Sequence, residues 1–173
     1  MNKAVLFFCV ILLSGKVFSQ TSIYDYQVTS LFDSTIHLSS YQGKKILVVN
    51  TASTGDRAHQ FDSLQILYSR LKDSGLVLLV IPSNDFNNEP KTNAELKILY
   101  SNAQFLIATK TSVKGESIEP LYQWLTQRIR NGVADMNVMG DYQKFVVSKD
   151  GKLSGEFSGR LNPLNIPISA LIH

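Results

Sequence analysis

Cysteine is nearly missing from this chain. Of 173 residues only Cys9 carries a thiol, and it lies in an apolar N-terminal run. That excludes a disulfide within the chain, a C-x-x-C redox pair and a cysteine-held metal or iron centre. Histidine is scarce too: His37, His59 and His173 are scattered, so neither a histidine-built zinc site nor any other metal or cofactor is expected. Net charge is small. The formal value is +3, but without Lys3 and Lys16 fifteen basic residues face fourteen acidic ones. A nucleic-acid partner or an anionic lipid surface is therefore not expected from charge. Repeats, low-complexity tracts and linkers rich in Pro, Gly or Ser are also missing. What is present, 44% hydrophobic residues in an ordinary domain length, suits one core and one domain and argues against disorder.

The first 19 residues read as a secretory leader. Lys3 supplies the positive start and Ala4 to Leu13 the apolar run, which is shorter than the roughly 20 residues of a membrane span. Val17-Phe18-Ser19 offers a small residue before the expected cut, leaving Gln20 as the new terminus. An uncleaved anchor or a buried N-terminal helix is the alternative. The expectation is an exported protein, periplasmic or secreted, with no stable membrane anchor and one domain over 20–173.

Periodicity then sets the elements. Ser22 to Leu38 reads as an extension with short strands at Ile23, Tyr26 and Val28, then Ile36 and Leu38. Tyr41 to Lys44 is a turn. Lys45 to Asn50 and Leu76 to Ile81 are apolar runs of the kind buried on both faces of a sheet. Between them Phe61, Leu64, Leu67, Tyr68 and Leu71 recur at helical spacing, and Gly75 suits the stop. Thr92-Asn93 precedes a short helix through Leu96, Leu99 and Tyr100. Phe105 to Val113 contains a third strand-like stretch, and Ile118 to Ile129 one amphipathic helix. Tyr142–Val147 and Gly155–Phe157 form a hairpin through Lys149-Asp150-Gly151, and a last helix follows Asn162-Pro163. Trp124 is expected in the core and Tyr122 on the helix surface. Alternating strands and helices predict an α/β layer fold, with chemistry at the loop leaving the first core strand.

Several segments, in order and at compatible spacing, resemble the glutathione peroxidase family. They are Ser22-Ile23-Tyr24-Asp25-Tyr26; Leu38 to Lys44, like "L-S-x-Y-x-G-K"; Val48 to Ser53, like "V-N-V-A-S"; Leu79 to Phe86, like "G-F-P-C-N-Q-F"; Asn93 to Leu96; Pro120 to Leu125; and Lys144 to Gly151. The resemblance implies a thioredoxin-like fold: a central mixed sheet flanked by helices, with an N-terminal strand extension. It also implies thiol-dependent reduction of peroxides. There a thiolate or selenolate at a helix N-terminus attacks peroxide, and a thiol returns the product.

Position by position, the residues of that chemistry are replaced. The nucleophile's place falls on Gly55, the glutamine's on Asp85, and the tryptophan–asparagine pair's on Gly140 and Asp141. Tyr100 falls where many members keep a resolving cysteine, and Leu106 where many have proline. The expectation is a member that has kept the fold and lost the chemistry, acting as a binding or scaffolding module for an unknown protein or small anion. Its possible ligand face is Thr54, Asp56, Arg57 and Asn84, or else a helix surface. Arg57 with loop amides suits an anion or peptide carboxylate. The plainer reading makes Asp56, Arg57, Asp85 and Asp141 surface ion pairs. Thr54 and His59 are read as a capping or loop residue and a surface histidine. A different enzymatic chemistry, a working peroxidase, or a decaying copy with no role are the alternatives.

Overall fold

The computed structural model describes residues 21–172; the expected leader and its cut after Ser19 lie outside them. A five-stranded mixed sheet in the order β5-β4-β3-β6-β7 is the frame. Its centre is β3 (Ile46–Thr51), parallel to β4 (Val77–Pro82) and antiparallel to β6 (Lys144–Val147). The edges are β5 (Leu106–Ile107), parallel to β4, and β7 (Leu153–Phe157), the hairpin partner of β6. An N-terminal hairpin, β1 (Gln27–Thr29) with β2 (Thr35–His37), forms a separate two-stranded sheet.

Every residue of β3 and β4 is buried, and alternation sends successive side chains to opposite cores. Ile46, Val48, Val77, Leu79, Ile81 and Phe145 meet α3 (Pro120–Thr126) through Leu121, Tyr122, Trp124 and Leu125. Leu47, Val49, Leu78, Val80 and Val146 meet Leu64, Leu67 and Leu71 of α1 (Gln60–Leu71). Leu96 of α2 (Asn93–Leu99) and Leu171 of α5 (Ile168–Ile172) complete that second core. Helices thus cover both faces, as the alternating pattern predicts. α1 stops at Leu71, and one 3-10 turn leads to Gly75 at φ +89°.

Four expectations need correction. Ile23 lies in a 3-10 turn, Ile23–Asp25, capped by Ser22, and Leu38 opens another, Leu38–Tyr41, rather than either lying in a strand. The strand within Phe105–Val113 is Leu106–Ile107, and the chain beyond it bridges to Ser30 through Ala108. Thr109 N–H donates to the Thr29 carbonyl and Thr111 N–H to that of Pro82. The long amphipathic helix breaks at Gln127, which is extended (φ −113°, ψ 116°), into α3 and α4 (Arg128–Asn131). The carboxamide of Asn131 takes over the freed carbonyls of Trp124 (2.9 Å) and Leu125 (3.4 Å), so the break leaves few orphan groups. Tyr122 is fully buried, not a surface residue, and meets Phe145 edge-on at 6.0 Å.

Candidate functional site

The site forms where three chain segments meet at the carboxyl ends of β3 and β4 and the start of β6. The loop leaving β3, residues 53–59, is wound by bonds from Ala58 N–H to the Gly55 carbonyl and from Gln60 N–H to that of Arg57. Tyr142, held at φ +64°, reaches across to donate its hydroxyl to the carbonyls of Ala52 (2.9 Å) and Ala58 (3.2 Å). It thereby clamps both ends of the loop. Burial, reinforced by nearby Tyr100, Asp141 and Glu89, pushes its phenol far above the ordinary range, so it remains a donor.

The second segment, residues 83–89, is anchored by Glu89, whose side chain is buried. Its carboxylate accepts Ser53 N–H and Ser53 Oγ–H, each at 2.7 Å, and Lys91 N–H at 3.2 Å. Three donors satisfy a buried charge that would otherwise be costly. Asn84 accepts Glu89 N–H through Oδ1 at 3.0 Å. The next residue back from Glu89 turns inward. Asn88 accepts Thr54 N–H (3.0 Å) and Thr54 Oγ–H (2.6 Å) on its carbonyl, and donates its side-chain amide to Asp141 Oδ2 at 2.7 Å.

Each predicted position now has a place. Gly55 is exposed at φ +83°, a backbone that side chains rarely adopt. A Cβ built on it would lie 2.9 Å from Asn88 Cγ. Asp141 is 3% exposed, with Oδ2 held by Asn88 and Oδ1 buried without a partner among the described residues. Gly140 leaves room for Arg57: a Cβ there would meet the guanidinium Nη1 at 2.7 Å, and the Gly140 carbonyl accepts from Asn50 Nδ2 at 3.0 Å. Asp85 faces elsewhere. Its carboxylate accepts Val113 N–H (2.6 Å), Lys114 N–H (3.1 Å) and Ser112 Oγ–H (3.3 Å).

So Asn88 links Gly55 to Asp141, and Arg57 packs over Gly140 next to it in the chain, while Asp85 braces a neighbouring loop. The ion-pair reading is corrected. Among the described residues the ion pairs are Lys97–Asp33 and Lys152–Asp150, and none involves Asp56, Arg57, Asp85 or Asp141. Asp85 and Asp141 instead accept from backbone N–H, hydroxyl and amide groups. Thr54 donates to a carbonyl and has no base beside it, and His59 is exposed at the head of α1. Tyr100 is buried and stacks on Phe61 at 4.4 Å. Leu106 lies in β5.

Asn88, Glu89, Tyr142 and Lys144 were not singled out as site residues from sequence. Lys144 is fully buried on the α1 face, and its Nζ donates to Gln60 Oε1 at 2.7 Å and to the Leu161 carbonyl. Desolvation, with the nearby positive charge of Arg57, pushes its amine down to about 7. The one signal for Asn88 and Glu89 was their place directly after the Leu79–Phe86 motif.

A separate groove lies away from this site. It measures about 380 Å³ and lies between α1 and the loop after α2, lined by Gln65, Ile66, Tyr68, Arg70, Asn102 and Phe105. The clearest apolar exposure on a helix is on α2, where Ile98 is 78% and Leu99 49% exposed.

Comparison with known proteins supplies the context. The family described as Glutathione peroxidase matches residues 23–126. The chain is 35% identical over 151 residues to the probable glutathione peroxidase 2 of Arabidopsis thaliana, covering 84% of this chain and 89% of that one. The crystal structure of Trgpx in apo form superposes with a TM-score of 0.70 at 30% identity, over 88% of this chain and 97% of that one. A thioredoxin family thiol:disulfide interchange protein from Chlorobium tepidum superposes with a TM-score of 0.60 at 15% identity, over 81% of this chain and 86% of that one. That last likeness is one of fold alone, and it bears out the thioredoxin-like architecture.

Proposed function

The chain belongs to the glutathione peroxidase family, and from that premise we propose that it is an exported member which no longer reduces peroxide and serves as a binding module. The observation that carries this reading is the state of position 55. The place assigned to the family nucleophile holds glycine, and residues 21–172 contain no cysteine. Peroxide attack by a thiol needs an ionised sulfur with open approach, and no other side chain here offers an equivalent. Thr54 lacks a base, and an unactivated hydroxyl is a poor nucleophile. The three donors on the Asp85 carboxylate give it a bracing role instead of a catalytic one.

Two surfaces suit binding. One is the loop face of Thr54, Asp56, Arg57 and Asn84. On it Arg57 has no ion-pair partner among the described residues, which favours a carboxylate or other small anion. The other is the exposed apolar pair Ile98 and Leu99 on α2, which suits a protein. A working peroxidase is the competing reading, favoured by 35% identity to the Arabidopsis thaliana relative. Peroxide consumption by the purified protein, with glutathione and separately with thioredoxin as reductant, decides between them. The expected result is no consumption above the protein-free control, and steady turnover with either reductant sinks the proposal.

A further inference from the structure

The replaced positions are filled, and the two groups that fill them differ in how firmly they stand. Arg57 Nη1 occupies the space of a side chain at Gly140. It is the far end of a flexible side chain with no ion pair among the described residues, so it can swing aside. The carboxamide of Asn88 occupies the space of a side chain at Gly55, with Cγ, Oδ1 and Nδ2 all 2.9–3.1 Å from the built Cβ. Asn88 is short and tied at both ends. Its main-chain carbonyl accepts two bonds from Thr54, and its Nδ2 holds the buried Asp141 carboxylate. Turning it away leaves a carboxylate that is 3% exposed without its only side-chain donor among the described residues, which is a severe penalty.

We propose that Asn88 is the residue that keeps the site shut: its carboxamide, latched to Asp141, excludes any side chain from position 55, so that a thiol returned there alone stays unreactive. This rests on the reading that position 55 is the nucleophile's place. Gly55→Cys, Asp85→Gln, Gly140→Trp and Asp141→Asn together leave the Asn88 side chain in the way.

Two readouts test it. The first is a double-mutant cycle on melting temperature with Gly55→Ala and Asn88→Ala in the full chain. The left-handed backbone penalises alanine equally in both backgrounds, so only the collision with Asn88 appears as coupling. The Gly55→Ala loss in melting temperature is expected to shrink by about half or more when Asn88 is alanine. Equal losses overturn the proposal.

The second readout compares G55C with G55C/N88A, each in a Cys9→Ser background so that position 55 carries the sole thiol. The step followed is attack of the thiolate introduced at position 55 on hydrogen peroxide. The S–O bond forms as the O–O bond breaks, sulfur is oxidised by two electrons to sulfenic acid, and the departing hydroxide takes a proton to become water. Trapping with dimedone reads the rate, which is expected to be at least about tenfold higher in the double variant. Coupling in the melting cycle without that gain removes position 55 as the nucleophile's place, and with it the premise of the proposal. A tenfold gain together with coupling sustains both.

Discussion

A buried amine gives this protein a pH response just above neutrality. Lys144 is enclosed, its two acceptors are neutral, and the positive charge of Arg57 lies near it. Its folded value of about 7 lies below the ordinary lysine value of about 10.4. Between those two values the unfolded chain holds a proton that the folded chain has released. Stability therefore rises with pH through that window, by at most about 1.4 kcal/mol per pH unit. Above about pH 10 the trend reverses, because burial raises the phenols of Tyr100, Tyr122 and Tyr142 and the unfolded chain loses those protons first. Melting temperature is expected to climb between about pH 7 and pH 9 and to stay nearly level in Lys144→Met. A Lys144→Met protein with the slope of wild type rules out Lys144 as the cause.

Elements here are stopped and started by side chains as much as by periodicity. At α2, Thr92 Oγ accepts Glu95 N–H at 3.3 Å while the Glu95 carboxylate accepts Thr92 N–H at 2.7 Å. This reciprocal box holds down the Glu95 carboxyl, chiefly through its bond from the Thr92 backbone. Only Leu96 of α2 is buried, so a short helix with little core contact depends on its cap. Thr92→Ala is expected to cost about 1 kcal/mol and to speed amide exchange in α2 while leaving β3 and β4 protected. Uniform exchange across the molecule would contradict that, and Thr92→Ser should restore the wild-type pattern. α3 ends by the same kind of device. Helical spacing runs from Ile118 to Ile129, yet Asn131 and Thr126 satisfy carbonyls inside that run, and the helix breaks between them.

Across the whole molecule, two cores share one sheet, with β3 and β4 buried on both faces. Thr21 is already tied in, accepting from Trp124 Nε1 at 2.7 Å and donating to the Arg130 carbonyl at 3.2 Å. The proposed cut after Ser19 would therefore leave one residue ahead of this anchored start. Protein recovered outside the cytoplasm of an exporting host is expected to begin at Gln20 by intact mass. A recovered chain that retains residues 1–19 rejects the cut, and protein found wholly in the cytoplasm rejects the export signal.

The class of fold and its frame follow from local patterns in the sequence. Apolar runs at β3 and β4, helical spacing in α1 and the turn at Lys149-Asp150-Gly151 are local patterns. Local patterns survive because side-chain direction follows backbone period. The ordered family segments point to Gly55, Asp85, Gly140 and Asp141 as one site, and the structure turns Asp85 away from the other three. Tertiary structure alone decided what those positions do. That Asp85 turns to the 112–114 backbone, that Asn88 lies over Gly55, and that Lys144 is buried on the α1 face are facts of contact between segments far apart in the chain. Hydrogen bonding and volume exclusion act over a few ångströms of space, and spacing along the sequence carries no record of which distant groups will share them.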